Sequence, residues 1–425
     1  KCSARRRGTE MISSPKNLVQ QYPGSFWVLV GATFIDKLGG TMIFPFFALY
    51  VTSRFGVGMT EAGILFAIFS VSGFAGNFVG GALVDKLGRR SMLLFGLVFS
   101  ALSSLTMGFV GRLYVFYILA AFAGLFSDVA GPAQGAMVAD LLPEEQRADG
   151  FGILRVAANI SWIIGPVIGG FLATRSYLLL FILDAISSLI TAAIVFRLIP
   201  ETKPEIEEGK PPETILETIK GYRVVATDTL FVAFMIASIL MSLAYLQLYS
   251  TLSVYLRDVH GLQEQAYGML MSINATTVVL LQFPVTRRIS SKPPILMMVL
   301  GSLLYLVGFT MYGIVTTYVL FVMAMLIITF GEMVVMPISQ AIVARLAPVD
   351  MRGRYMAFFA LSWTIPSAVG PWAAGLIMDN IDPNWVWYAA GILSAIAALS
   401  FYFLHIRTKD RFANPSNGQA LEPAS

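Results

Sequence analysis

Of 425 residues, 56% are hydrophobic and 13% charged, whereas a soluble domain carries roughly 25% charged residues; with mean hydropathy +0.73, an integral membrane protein is expected. The net charge of +4 reads as anchoring at a membrane surface and implies no nucleic-acid partner. The single cysteine, Cys2, excludes an intrachain disulfide and says nothing about redox compartment.

Residues 1–25 form a basic N-terminal tail, of which the ten residues before Met11 are left out of the fold reading. About 20 consecutive apolar residues cross roughly 30 Å of hydrocarbon as a helix. Twelve such runs follow, near 26–51, 62–84, 91–111, 113–138, 151–174, 177–199, 229–256, 265–285, 295–315, 317–343, 354–378 and 384–405. Sustained period-2 alternation is absent, so the expected class is all-α. The first run is too long for a signal-peptide core and is expected to be the first span.

Four spans carry acids. The first contains FIDKLGGTMIF, Phe34 to Phe44, with Asp36 and Lys37 adjacent; Asp128, Asp184 and Glu332 lie in the fourth, sixth and tenth. An ionised side chain at the bilayer centre costs roughly 2.5 to 3.5 kcal/mol on insertion scales, so each should face a partner or a watery cavity. Asp36 and Lys37, as sequence neighbours, point about 100° apart and are not simply facing partners. A carboxyl in an apolar cavity is penalised in its charged form and can load and release protons. Asp36, Lys37, Asp128 and Glu332 are therefore candidates for proton coupling or substrate binding, against the alternative of structural ion pairs. Asp184 is read as a structural hydrogen-bonding group.

Between the second and third spans lies GALVDKLGRR, Gly81 to Arg90. Gly81 permits close helix approach, Gly88 a tight turn, and Asp85, Arg89 and Arg90 offer ion pairs at the membrane edge. In the fifth span, SWIIGPVIGG places Gly165, Pro166, Gly169 and Gly170 where missing side chains and a missing backbone donor suit a kinked, tightly packed helix. Residues 200–228 hold four prolines and many charges and read as a linker between two units, 26–199 and 229–405. Ile215, Leu216, Ile219 and Tyr222, at helical spacing, suit either a helix along the membrane surface or one in contact with the helix bundle. Residues 406–425 form a C-terminal tail.

The units repeat at an offset of 205: Pro132, Pro143, Arg147, Gly165, Pro166 and Gly170 match Pro337, Pro348, Arg352, Gly370, Pro371 and Gly375. A parallel repeat of six spans implies two bundles about an axis along the membrane normal, with a site between them. Of 29 Lys and Arg, all but Lys37, Arg54, Arg112, Arg175 and Arg257 fall on the side of the two termini, which is therefore expected to be cytoplasmic.

The Gly81–Arg90 loop matches G-x-L-x-D-[RK]-x-G-R-[RK], and with the twelve spans and the repeat the whole chain resembles the major facilitator superfamily. That resemblance implies two pseudo-symmetric six-helix bundles, a conformational switch role for Asp85 and Arg89, and a central cavity lined by spans 1, 4, 7 and 10. The second-half counterpart, Phe283 to Pro294, has no acid at the equivalent place, so the switch is expected to be asymmetric. The Gly165–Gly170 element resembles one found in the drug:proton antiporter branch, with Ser161 in place of its leading glycine. Gly370 and Pro371 point instead to a packing device common to both units. The arginine that the branch often has in span 4 is replaced by Ala120.

Candidate cavity residues are Phe44, Phe47, Asn77, Phe126, Gln134, Tyr245, Gln247, Tyr249, Asn274, Gln340 and Trp363. Trp27, Trp385 and Trp387 read as interface anchors. His260 and His405 lack metal-ligand company, and no G-x-x-x-x-G-K-[ST] or nucleophile-base pairing appears, so neither enzymatic activity nor ATP drive is expected. The sequence points to a monomeric, multi-pass cell-membrane exporter of amphipathic or lipophilic small molecules. It would need no cofactor beyond a proton gradient. A nutrient symporter or uniporter and a non-transporting receptor are the alternatives.

Overall fold

The computed structural model describes residues 21–127, 130–202, 222–348 and 351–413, and every regular element among them is helical. This is what a bilayer demands, since a helix satisfies its own backbone groups where no water can. In the first half of the chain the helices are α1 (Gly24–Ile43), a 3-10 turn (Phe44–Phe46), α2 (Phe47–Phe55), α3 (Met59–Leu87) and α4 (Arg89–Phe109). They continue with α5 (Leu113–Ser127), α6 (Ala130–Leu141), α7 (Glu144–Ala173) and α8 (Tyr177–Leu198). The second half comprises α9 (Thr229–Tyr245), α10 (Gln247–Ser250), α11 (Leu252–His260), α12 (Glu264–Ile289) and α13 (Pro294–Tyr312). It ends with α14 (Tyr318–Leu346), α15 (Arg352–Phe359), α16 (Leu361–Asn380) and α17 (Asn384–Ala413).

Two expected spans are broken in the middle. The first yields at Phe44–Phe46, where Pro45 opens the 3-10 turn; the seventh yields around Leu246 and Thr251. The expected run 354–378 divides into α15 and α16. Among the described residues eleven helical stretches are long and apolar enough to cross a membrane, and α16 is not among them, because Ser, Thr, Trp and two prolines dilute its apolar character. Of the expected surface helix only Tyr222 is described, at the start of a short helical segment over 222–227; Ile215, Leu216 and Ile219 lie outside the described residues.

The repeat is visible in the coordinates. α3, α4 and α5 begin at Met59, Arg89 and Leu113, and α12, α13 and α14 begin 205 residues later at Glu264, Pro294 and Tyr318. Gly56 and Gly261, at the same offset, end α2 and α11 with φ of 63° and 64°, a left-handed conformation that glycine adopts without steric cost. One buried hydrogen bond also recurs: the Tyr50 hydroxyl donates to the Met107 carbonyl at 3.0 Å, and the Tyr255 hydroxyl to the Tyr312 carbonyl at 3.0 Å. Burying a phenol without an acceptor would be costly, so each half keeps the same solution.

The core is aromatic where these bonds lie. Trp387, expected at an interface, is fully buried and packs its ring 5.2 Å from Tyr255 and 5.1 Å from Tyr312; Trp385 is exposed. Between the halves the main contacts are α3 with α16 and α7 with α12.

Candidate functional site

A cavity of about 1270 Å³ lies between α1, α3, α4, α5 and α8 of the first half and the α15–α16 segment of the second. Its wall is largely aromatic, with Phe44, Phe47, Phe66, Phe69, Phe181 and Trp363 among the lining residues, and it extends to Asn77, Tyr222 and Phe358. Four expected residues, Phe44, Phe47, Asn77 and Trp363, are on this wall. The charged residue on it is Asp184, which sequence reasoning had set aside as structural.

At Gly39, α1 presents no side chain to α8, and the Ser187 and Asp184 side chains fill the space. A Cβ placed on Gly39 would stand 2.9 Å from Asp184 Oδ1 and 3.1 Å from its Cα, so only glycine fits there. Ser104 on α4 donates to the Phe181 carbonyl of α8 at 3.4 Å and lines the cavity with Asp184. One turn along α8, Ser188 donates to Asp36 Oδ1 at 3.2 Å. Lys37 acts electrostatically on both carboxyls, yet no ion pair forms among the three. Asp36 therefore stands beside Asp184, the acid that lines the cavity among the described residues, and is not sealed in a salt link.

Glu332 occupies a second hollow of about 150 Å³, shared with Asn159, Trp162, Tyr249 and Asn274. Asn274 Nδ2 donates to Glu332 Oε2 at 2.8 Å and to Thr329 Oγ1 at 2.9 Å. Tyr245 interacts electrostatically with Glu332, and the Tyr245 and Tyr249 hydroxyls hydrogen-bond each other at 3.0 Å. Two expected residues, Tyr245 and Asn274, thus converge on the expected acid. The basic group nearest in effect is Arg155, which interacts with Glu332 through space from α7. Arg155 was not among the expected site residues; its place inside the expected span 151–174, twelfth in the 30-residue α7, was the signal that could have found it.

The other expected polar residues are placed elsewhere. Gln134 donates to Thr33, Gln247 donates to the Leu243 carbonyl at 2.9 Å and accepts from Thr251 at 2.6 Å, and Gln340 is exposed on α14. Phe126 packs on Phe99 and Phe122. None of these four lines either hollow. Asp128, the packing at Gly81 and the Asp85 side chain lie outside the described residues.

One face of the molecule is closed by contacts between the halves. Asp379, near the end of α16, accepts from the backbone N–H groups of Met59 and Thr60 at 3.0 and 2.8 Å and from the Thr60 hydroxyl at 2.6 Å, capping the N-terminus of α3. Arg257 reaches Ser53 and Thr52 at 2.6 and 3.1 Å, Tyr177 donates to Glu264 at 2.7 Å, and Ser272 donates to the Ile163 carbonyl at 2.7 Å. Of the packing glycines, Gly170 and Gly375 contribute to this closure, while Gly165, Gly169 and Gly370 pack helices within their own half. Gly165 and Gly169 face α1 at Thr41 and Met42, Gly170 faces Glu264 and Gln265, Gly370 faces Gln247, and Gly375 faces Met59 and Thr60. Pro166 and Pro371 lie inside helices that continue through them.

At the opposite face the Gly81–Arg90 turn is held within its own half. Gly88 has φ of 97°, as the tight turn requires. Arg89 pairs with Asp140 at the end of α6 at 2.6 Å. Arg90 donates to the Phe196 carbonyl and lies 5.1 Å from the Phe196 ring centre.

Known proteins share this architecture. A family model described as the Major Facilitator Superfamily matches residues 29–370 and 330–424. A Na(+), Li(+), K(+)/H(+) antiporter of Planococcus maritimus is 28% identical, over 91% of this chain and 97% of its own length. Multidrug resistance protein MdtH of Salmonella paratyphi B is 24% identical, over 95% and 99%. Among solved structures, a mutant of the nucleoside transporter NupG superposes with a TM-score of 0.78 at 13% identity, over 90% and 100% of the two chains. A bacterial homologue of the human lysosomal transporter Spinster, solved inward-facing and unoccupied, gives 0.74 at 12% identity, over 95% and 100%. At such identities the structural likeness speaks to fold alone.

Proposed function

Since the chain belongs to the Major Facilitator Superfamily, we propose that it is a proton-coupled exporter of amphipathic or lipophilic small molecules, built as twelve spans in two six-helix bundles that rock about a central site. The observation that carries this reading is the aromatic cavity of about 1270 Å³ beside acids that make no ion pair. A volume above roughly 1,000 Å³ accommodates a drug-sized molecule. The wall is mostly apolar but also carries Asn77 and the hydroxyls of Ser70, Ser100, Ser103 and Thr364, which is what a polar nutrient would use, so that reading remains the alternative. The antiporter and multidrug relatives support the same class.

The basic side of the chain is cytoplasmic, both termini included, and the protein acts as a monomer in the cell membrane. The cavity then faces inward, and the contacts around Asp379, Arg257 and Glu264 close the outer face. Substrate enters from the cytoplasm or inner leaflet. Protons arriving from outside load Asp36, Asp128 or Glu332, and their release inside resets the cycle. One charge moving through the field gains about 2.3 kcal/mol per 100 mV, so no nucleotide or other cofactor is needed.

In proteoliposomes, an imposed pH gradient should drive accumulation of tetraphenylphosphonium at least tenfold over the gradient-free level. Asp36→Asn or Glu332→Gln should remove the gradient response while leaving gradient-free exchange measurable. Gradient-driven accumulation persisting unchanged in both variants would exclude coupling through these acids.

A further inference from the structure

We propose that Asp184 receives the positive centre of the transported molecule, so that the cavity selects lipophilic monocations over neutral compounds of the same size. This deepens the transport reading and rests on it. Three features of the wall point to the assignment.

The first is access. Gly39 brings α8 against α1, and the next residue, Gly40, lines the cavity with no atom within 4 Å of where its Cβ would be. The bare α1 surface leaves a window beside which the Asp184 carboxyl meets the cavity. The second is charge. Asp36 is hydrogen-bonded to Ser188 and adjacent in sequence to Lys37, whose charge offsets one of the two carboxylates. One net negative charge remains at the wall when all three groups are ionised, and Asp184 is the member of the group that lines the cavity. The third is the aromatic company of Phe44, Phe47, Phe66, Phe69 and Phe181. Aromatic faces attract cations, most strongly where water is excluded, and they impose little shape selection on a flexible apolar ligand.

The hollow around Glu332 suits a different cargo. At about 150 Å³ it is below the roughly 300 Å³ of small-ligand pockets but holds a few waters at about 30 Å³ each. Protons and the organic cation are therefore received at separate places, Glu332 in the second half of the chain and Asp184 in the first.

The full-length protein in lipid nanodiscs is titrated calorimetrically with tetraphenylphosphonium and with neutral triphenylphosphine oxide. Wild type should bind the cation at least tenfold more tightly. Asp184→Asn should bring cation affinity down to that of the oxide and leave the oxide unchanged, whereas Asp184→Glu should keep most of the preference. Gly40→Leu, which fills the window without altering any charge, should weaken the cation at least fivefold. If Asp184→Asn fails to fold, the outcome rests on the other two variants: cation affinity lost in Gly40→Leu and kept in Asp184→Glu supports the assignment, and unchanged affinity in Gly40→Leu refutes it. A cation preference that survives in folded Asp184→Asn also refutes it. Equal wild-type affinities for the two probes refute it while leaving transport of neutral substrates standing; binding of neither probe, with no gradient-driven accumulation, sinks both readings.

Discussion

Glu201 illustrates how much a single carboxylate can do at a helix end. The N–H groups of Arg90 and Ser91, at the start of α4, donate to it at 3.1 and 3.3 Å, and the Thr202 N–H donates at 3.2 Å. Burial pushes its pKa up, but these backbone donors outweigh burial and hold the carboxyl below the usual carboxylate range. A group depressed in the folded state stabilises above its unfolded pKa of about 4.3 and loses that contribution as pH falls through the folded value. Glu201→Gln is therefore expected to cost about 0.5 kcal/mol near neutral pH, the low end for an exposed helix cap. In thermal unfolding, the gap between wild type and variant should close below about pH 4; a gap independent of pH would mean that the charge is irrelevant. Such partners were not legible beforehand, because Glu201 and Arg90 are far apart in sequence. The same limit explains Asp184 and Arg155. Counting residues gives depth along a helix, but which face meets a cavity depends on where glycines such as Gly39 let neighbours approach.

The contact between α3 and α16 is a seal made of missing side chains. A Cβ on Gly375 would stand 2.5 Å from the Thr60 nitrogen and 2.6 Å from the Met59 carbonyl carbon and oxygen, so backbone meets backbone there. Gly375→Leu should therefore force the helices apart, at an overpacking cost of about 1 to 3 kcal/mol, and destabilise the closed face relative to the open one. With Cys2 replaced by serine, maleimide labelling of Thr52→Cys, a buried position beside Arg257, reports the change. Labelling should rise severalfold in the Gly375→Leu background; an unchanged rate would show that this contact is not the seal. At this scale the sequence was informative. Hydropathy placed the long helices, and the 205-residue offset anticipated Gly370, Pro371 and Gly375. The breaks near Phe44 and Leu246 were not marked, since hydropathy runs through them and only Pro45 signals one.

For the whole molecule, the main implication is directional: the halves meet at one face while the cavity extends toward the other. The two families of contact differ in kind. The closed face uses capping, hydroxyl and glycine contacts between halves, whereas among the described residues the turn at Gly88 is held by Asp140 and Phe196 of its own half and by Glu201 at the start of the linker. Twofold repetition was legible from sequence; this asymmetry was not, because a repeat specifies equivalent elements and cannot say which pair of ends touches. If transport requires the touching ends to separate, tying them must stop it. Thr60→Cys with Asp379→Cys, in a chain with Cys2 replaced by serine, puts two thiols where the capping contact lies. A short bifunctional thiol reagent should then reduce transport in proteoliposomes by at least tenfold, while tetraphenylphosphonium binding from the open side persists. A cleavable version of the reagent should restore transport on reduction, and each single-cysteine variant should be unaffected by treatment. Transport continuing at full rate with the ends tied would exclude alternation about this face, whatever the substrate.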